Sequence, residues 1–320
     1  MAATDLSRVG SPPVIDYEGS QYRTDFWEGQ GRAYEDAVER LALTRLMPPR
    51  GIRIAEIGAG FGRLADQYDG YEQVILFDYS RTLLQDAAAR WGHDPRFVFV
   101  AGNVYQMPFA DGILDTLIMI RVMHHLADVP RALEQLRRVM HRHSIGILEY
   151  ANKRNMKAVL RWLTKRQDWS PLDQEPVEFV KLNYDFHPAW MDRRLEAVGF
   201  DVSNQLSVSH FRHPLLKEYV CAHRLARWDS RLFDIGGRHP MAPSVFVQVE
   251  PCSAGGRAEP SCHDDDLVKL FCCPVSGSHN LERVEDGRIY CPESNLTYVR
   301  RDGVWDFKDA VHDTGTVAVE

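Results

Sequence analysis

Two periods of apolar and polar positions alternate along the first half of the chain. Mostly apolar runs at Ile52–Ile57, Val74–Phe77, Phe97–Val100, Leu114–Ile120 and Ser144–Tyr150 have the length of buried strands. Between them helical spacing takes over. Leu83, Leu84, Ala87, Ala88 and Trp91 share one face of a helix predicted over Arg81–Trp91, with Ser80 as its cap and Gly92 behind it. Asp128 is placed to cap another, carrying Leu133, Leu136 and Met140. Phe26–Leu46 reads as a helix ended by Pro48-Pro49, and Phe61–Gln67 as a short one. Apolar strands alternating with helices predict an α/β fold with a parallel sheet covered on both faces. Ligands of such sheets bind at the carboxyl ends of the strands.

Beyond Tyr150 the alternation gives way to an insertion. Lys153–Arg166 holds Lys153, Arg154, Lys157, Arg161, Lys165 and Arg166 with no acid among them. Met156, Val159, Leu160 and Leu163 fall on one side of a helix there, and Lys153, Lys157, Arg161 and Lys165 on another. Trp169–Pro188 is irregular and aromatic, and Trp190–Val198 is helical. Phe200–Val208 and Ser244–Glu250 read as late strands, with a helix over Leu215–Trp228 between them. The expected organisation is a flexible lead-in (1–25), a main domain (26–251) whose residues 153–190 form an inserted lid or acceptor region, a linker (252–263) and a small β-rich module (264–320).

Composition narrows the class. With 44% hydrophobic and 26% charged residues the chain is an ordinary globular one. No apolar run approaches the ~18 residues of a membrane span. The first residues lack the basic start and apolar core of a secretory signal, so a cytoplasmic protein is expected. A net charge of −7 argues against coating nucleic acid. From Asp264 onward there are 12 acidic and 6 basic residues, a balance of −6 that leaves −1 for the rest, a step that suggests a domain boundary. Five of the six cysteines (Cys252, Cys262, Cys272, Cys273 and Cys291) lie in the last quarter, which points to metal, past or present, before disulfides.

Chemistry concentrates after the strands. Glu56-Ile57-Gly58-Ala59-Gly60-Phe61-Gly62 provides glycines where a chain turns sharply from strand to helix beside a ligand. The stretch resembles motif I of class I S-adenosylmethionine-dependent methyltransferases. Asp78 ends the second strand, where a carboxylate accepts both hydroxyls of a ribose; that residue alone suits an NAD enzyme equally well. Gly102-Asn103-Val104-Tyr105-Gln106-Met107-Pro108-Phe109-Ala110-Asp111 resembles the family's third segment, with Asn103 in place of the acid that meets the adenine amino group. Leu114–Leu126, ending in His124-His125-Leu126, is similar to motif IV and the element behind it.

The resemblance spans roughly residues 30–250 and is to the ubiquinone/menaquinone type, the methyltransferase type 11 pattern. It implies a Rossmann-like seven-stranded sheet and S-adenosylmethionine as cofactor. It also implies a site built from Glu56, Gly58, Ala59, Gly60, Gly62, Asp78, Tyr79, Asn103, Val104, Ile120 and Arg121. A sulfonium methyl is already activated, so most of the acceleration comes from positioning, and a base is needed only for an acceptor that holds its proton. His125 and Tyr150 are the candidates for that role, with Glu149 and Asn152 as neighbours on the acceptor side. His124 and His125 could equally serve only to hold loop geometry.

The acceptor is expected to be small or lipophilic, since Trp162, Trp169, Phe179, Tyr184, Phe186 and Trp190 cluster in the insertion. The basic helix Lys153–Arg166 reads as a cap over the acceptor pocket, a membrane-surface contact or an RNA contact. The last module resembles the zinc-ribbon-like family that includes the activator subunit of tRNA and protein methyltransferases. Four-thiolate zinc needs two Cys-x-x-Cys knuckles. Here they read Cys273-Pro274-Val275-Ser276 and Cys291-Pro292-Glu293-Ser294, so the expectation is a metal-free relic that docks in cis. Two other functions stay in view: a silent methyltransferase-like scaffold acting through a protein partner, and an NAD-dependent oxidoreductase, which the glycine spacing disfavours.

Overall fold

The apolar runs become neighbouring strands of one sheet. A computed structural model of the chain describes residues 4–5, 10, 12–20, 23–27, 30–252 and 267–312. After a two-residue strand β1 (Thr4–Asp5) come β2 (Gly51–Ile57), β3 (Tyr71–Asp78), β4 (Phe97–Ala101), β5 (Leu114–Met119) and β6 (Met140–Ala151). The last five lie in the order β4-β3-β2-β5-β6 and are parallel throughout. β10 (Ser244–Pro251) pairs antiparallel with β6, and β9 (Phe200–Val208) antiparallel with β10, which completes a Rossmann-like sheet of seven. Alternate side chains feed opposite faces. Ala55, Ile57 and Leu117 enter one core, and Ile54, Val74 and Ile118 the other.

Local chemistry sets most helix boundaries where the spacing predicts them. In α2 (Arg81–Trp91) the Ser80 hydroxyl accepts from Leu83 N, and in α3 (Val129–Val139) the Asp128 carboxylate accepts from Arg131 N. Three helices differ from expectation. α1 runs Ala33–Leu46 and does not start at Phe26, because Gly31 stands at φ 64° and a right-handed helix cannot pass through it. Phe61–Gln67 shrinks to a single 3-10 turn at Ala65–Gln67, since Gly60 and Gly62 hold φ 53° and 70°. The helix expected over Leu215–Trp228 is divided into α6 (Pro214–Tyr219) and α7 (Ala222–Ser230), with Val220 and Cys221 extended between them; α8 (Phe233–Arg238) follows. The insertion contains α4 (Met156–Leu163), the hairpin of β7 (Val177–Val180) and β8 (Asn183–Asp185), and α5 (Pro188–Ala197).

The C-terminal region does not stand apart. Its meander β11 (Glu282–Glu285), β12 (Arg288–Cys291), β13 (Leu296–Arg301) and β14 (Val304–His312) ends by pairing β14 parallel to β4, so the sheet continues from one region into the other. Most of the expected linker, residues 253–263, lies outside the described residues. Phe271 stacks on Phe109 at 6.2 Å and meets Phe307 at a tilt at 4.7 Å, within the core that also holds Phe77 and Val104. The knuckle positions meet one another: Cys273 Sγ lies 3.3 Å from Ser294 Oγ, Cys291 Sγ 3.5 Å from Ser276 Oγ, and the Tyr298 hydroxyl 3.1 Å from Cys273 Sγ. Among the described residues no group of three or more His, Cys, Asp or Glu is arranged to hold a metal ion.

Candidate active site

A cavity opens where β2, β3 and β4 end. Its walls include Gly58 and Gly60 after β2, Asp78 and Tyr79 after β3, Gly102 and Val104 after β4, and Arg121, Val122, His125 and Leu126 after β5. The glycine loop is pinned by the Gly58 and Ala59 amides, which both donate to Phe77 O at 2.8 and 3.0 Å. Gly58 adopts φ 77°, and a Cβ there would overlap the Val122 side chain. Asp78 is the loop's other anchor. One carboxylate oxygen accepts from Gly60 N at 2.7 Å and the other from Ser80 N at 2.8 Å. A carboxylate has about four acceptor sites, so Asp78 retains capacity for a further donor from the cavity. Burial raises the pKa of Asp78 above its ordinary value, while these amides pull it back down.

The opposite wall is charged. Arg121 sits at φ 61°, an uncommon conformation for a side chain of its size. Two buried acids hold it there: its amide donates to Glu149 Oε2 at 2.9 Å, and its Nε to Glu39 Oε1 at 2.7 Å. Arg63 donates to the second Glu39 oxygen at 2.8 Å. The two guanidiniums keep the Glu39 carboxyl below its ordinary range despite complete burial. Trp27 lies against both, 3.8 Å from Arg63 and 5.1 Å from Arg121. His125 presents a defined tautomer. Its Nδ1 faces Leu182 O at 3.2 Å, a partner that only accepts, so Nδ1 carries the proton and Nε2 accepts from the Tyr17 hydroxyl at 3.4 Å. Burial lowers the pKa of His125, which keeps the ring neutral.

Several residues expected at the cofactor stand elsewhere. Gly58, Gly60, Asp78, Tyr79, Val104 and Arg121 share the cavity wall; Glu56, Ala59, Gly62, Asn103 and Ile120 do not line it. Asn103 Oδ1 turns inward to cap its own turn by accepting from Tyr105 N at 3.0 Å. Gly62 lies beneath Trp91 and Leu76, while Ala59 and Ile120 are core residues. Tyr150 is fully buried in the core that also holds Ile57, Phe77 and Val104, with a hydroxyl that meets no partner, and burial pushes its pKa well above the usual value. It is a packing residue with no path to an acceptor through this cavity. Glu149 serves Arg121 and Ser244, and the Asn152 amide donates to Pro240 O and Ala242 O, so neither faces the cavity. The insertion's aromatics also divide: Phe186 and Trp190 stack at 5.4 Å inside the core, whereas Phe179 points to solvent.

Glu56 is buried on β2, and burial drives its pKa up to about 7, with Tyr68 beside it pulling the other way. A carboxyl whose folded pKa exceeds the unfolded one adds stability that is complete below the unfolded value of 4.5 and lost as pH rises towards 7. Wild type should therefore lose about 3 kcal/mol across that window. Glu56→Gln should flatten the slope, as urea melts at pH values below and above the window will report.

The sequence reading missed the cover. Val14, Ile15 and Tyr17, from the stretch read as a lead-in, line the cavity opposite the glycines. Glu18 fastens this strap to the start of α2, accepting from Arg81 N at 2.9 Å and Thr82 N at 3.1 Å. The available signal was the apolar pair Val14-Ile15 followed by Tyr17, which stands out in a polar segment. The contribution of the C-terminal region had no local signal at all. Lys308 donates to Tyr79 O at 2.7 Å and lies 3.8 Å from the Tyr79 ring.

A glycine turn, a carboxylate with spare lone pairs and an apolar slot at the carboxyl ends of parallel strands define a Rossmann-like site for a nucleoside-type cofactor. Residues 55–148 match the family model described as a methyltransferase domain. That part of the chain is an S-adenosylmethionine-dependent methyltransferase domain, and S-adenosylmethionine is the cofactor its motifs serve. The chain is 26% identical over 130 residues to the 27-O-demethylrifamycin SV methyltransferase of Amycolatopsis mediterranei, covering 38% of this chain and 48% of that protein. It is 35% identical over 81 residues to the 2-phytyl-1,4-naphtoquinone methyltransferase of Trichormus variabilis, covering 24% of this chain and 35% of that one. The chain thus spans about half or less of these relatives' lengths. The fold is shared with a chain from the complex between the Haloferax volcanii Trm112 methyltransferase activator and a methyltransferase. There the TM-score is 0.51 at 17% identity, with 76% of this chain and 100% of that chain covered.

Proposed function

We propose that the protein transfers the methyl group of S-adenosylmethionine to a small or lipophilic acceptor, with a quinone-type ring as the favoured class. The observation that carries this reading is the cavity itself. Gly58 lets Val122 close against the loop at the cavity wall, where any side chain would push it away, and Asp78 sets its carboxylate on the same wall, where it can accept from a ribose diol. Bound there, the cofactor would supply an activated methyl group. The protein's part is to hold the donor with Asp78 and the glycine loop, and to shield it from water with Val14, Ile15 and Tyr17. The neutral His125, whose Nε2 accepts from the Tyr17 hydroxyl, is the candidate to take a proton from an acceptor hydroxyl by way of Tyr17, which would pass its own proton to Nε2 and take the acceptor's. The naphthoquinone relative and the apolar lining both favour an acceptor of this kind.

The C-terminal region is read as a built-in counterpart of an activator subunit. Leu270 O accepts from Ala110 N at 2.9 Å, and Cys272 N donates to Pro108 O at 2.9 Å, which braces the loop after β4. Calorimetry provides the test. Asp78→Ala should weaken S-adenosylmethionine binding by roughly 100-fold, about what losing two hydrogen bonds to a charged group costs. Ser276→Ala, in the far knuckle, should leave binding unchanged. Equal losses from the two would contradict the assignment. Labelled methyl donor added with the protein to fractionated cell extract should mark the lipid or small-molecule fraction; label in protein or RNA would overturn the acceptor class.

A further inference from the structure

The helix α4 carries its apolar stripe on the wrong side for a packed element. Met156, Leu160 and Leu163 follow at i, i+4 and i+7 and are 58%, 56% and 64% exposed. The residue that anchors the helix to the protein is Ala158, which is completely buried. At roughly 100° per residue the stripe lies about half a turn from Ala158, so it faces outward. Lys157 and Arg161 flank it, and Lys165 and Arg166 follow in the turn. Among the described residues no carboxylate reaches ion-pair distance of Lys157, Lys165 or Arg166, whereas the charge of Arg161 acts on Asp185 of the following hairpin. Such a face is costly in water and has no covering element of its own.

We infer that α4 is a docking face for an anionic lipid bilayer, its apolar stripe entering the interface while the flanking cations meet lipid phosphates. A short helix with a cationic flank and large apolar residues on the opposite side of its anchor has the chemistry of an interfacial element. A second observation ties the segment that follows this face to the site. The hairpin β7–β8, which follows α4, shows Phe179 and Val180 to solvent at 54% and 60% exposure, and its turn residue Leu182 holds His125 at the cavity wall. A lipophilic acceptor leaving the bilayer would meet the cavity beside these residues. The inference rests on the methyl-transfer reading for its purpose and on the exposed stripe for its existence.

Co-sedimentation of the full chain with vesicles tests it. Phosphatidylcholine vesicles with roughly 30% phosphatidylglycerol should bind wild type about tenfold more strongly than phosphatidylcholine alone, and about 0.5 M sodium chloride should remove most of that gain. Leu160→Asp with Leu163→Asp should weaken binding at least about tenfold on both vesicle types. Lys157→Glu with Lys165→Glu should act mainly on the anionic ones. Wild type that stays in the supernatant, or variants that sediment like wild type, would overturn the inference. So would sedimentation equilibrium showing a dimer that the two aspartates dissolve, since a second copy would then cover the stripe. Calorimetry with S-adenosylmethionine on the same samples separates the two readings. Cofactor binding without vesicle binding sinks the bilayer face alone, and vesicle binding without cofactor binding sinks the methyl-transfer reading alone.

Discussion

Gly58→Ala is expected to abolish measurable S-adenosylmethionine binding, a loss of at least about 100-fold, while the chain still folds. Two costs fall on one residue. The left-handed backbone at φ 77° costs an alanine about 1–2 kcal/mol. The added methyl would overlap Val122, which lines the cavity beside Arg121, so relief comes only by moving the cavity wall. The nearby Gly62→Ala supplies the contrast. Its backbone is equally left-handed, at φ 70°, but its Cβ would meet Leu76 at 3.1 Å and Trp91 at 3.2 Å, beneath the loop and away from the cavity. That variant should lose roughly 1–3 kcal/mol of stability and keep cofactor affinity within a few-fold once folded. Thermal melts with and without cofactor, joined to calorimetry, distinguish the two. Equal affinity losses would mean that the loop acts as one rigid unit and that Gly62 belongs to the site.

The two glycines show which part of the site was legible in the sequence. Their spacing marks the turn, but it does not say which glycine faces ligand and which faces Trp91. That is decided by the 3-10 turn replacing the helix expected at Phe61–Gln67. Asp78 was legible because a strand end in a parallel sheet fixes where its side chain goes. Asn103 was legible in position and not in orientation, since a short polar side chain at a turn is drawn to its own backbone amides. Tyr150 and Glu56 were misplaced for a common reason. The alternation of a strand assigns faces, yet both faces of this sheet are buried, so a polar residue there carries no mark of which side is open. The strap Val14–Tyr17 and the brace at Lys308 are long-range contacts; the apolar residues of the strap mark a buried stretch without naming what it covers, and the brace has no local pattern to announce it.

Removing the chain beyond Cys252 is expected to leave no stable cofactor-binding domain. The sequence suggests an appended module that could be cut away at a linker. The register of β14 on β4, with Val304 opposite Phe99 and Trp305 opposite Val100, makes it part of the sheet. Without β14, β4 becomes an unpaired edge with its ladder groups exposed, a template for aggregation. The same cut bares Phe109, whose stack on Phe271 closes the core beneath Val104 and Met107. A graded version separates folding from binding. Phe271→Ala should cost about 3–5 kcal/mol, the range for a large aromatic removed from a core. It should also weaken S-adenosylmethionine binding in the fraction that remains folded, because the loop it supports carries Val104 into the cavity. Lys308→Ala leaves the core intact and removes the hold on Tyr79 together with an ion pair to Glu18 of the strap at 3.7 Å, so it should lower affinity severalfold with little change in melting temperature. A truncated chain that stays monomeric, melts cooperatively and binds cofactor like the full chain would show the opposite arrangement: a self-sufficient methyltransferase domain with a dispensable passenger. Rescue of a truncated chain by the separate C-terminal piece would instead show that the brace works in trans, as an activator subunit does, and that its fusion here only raises its local concentration.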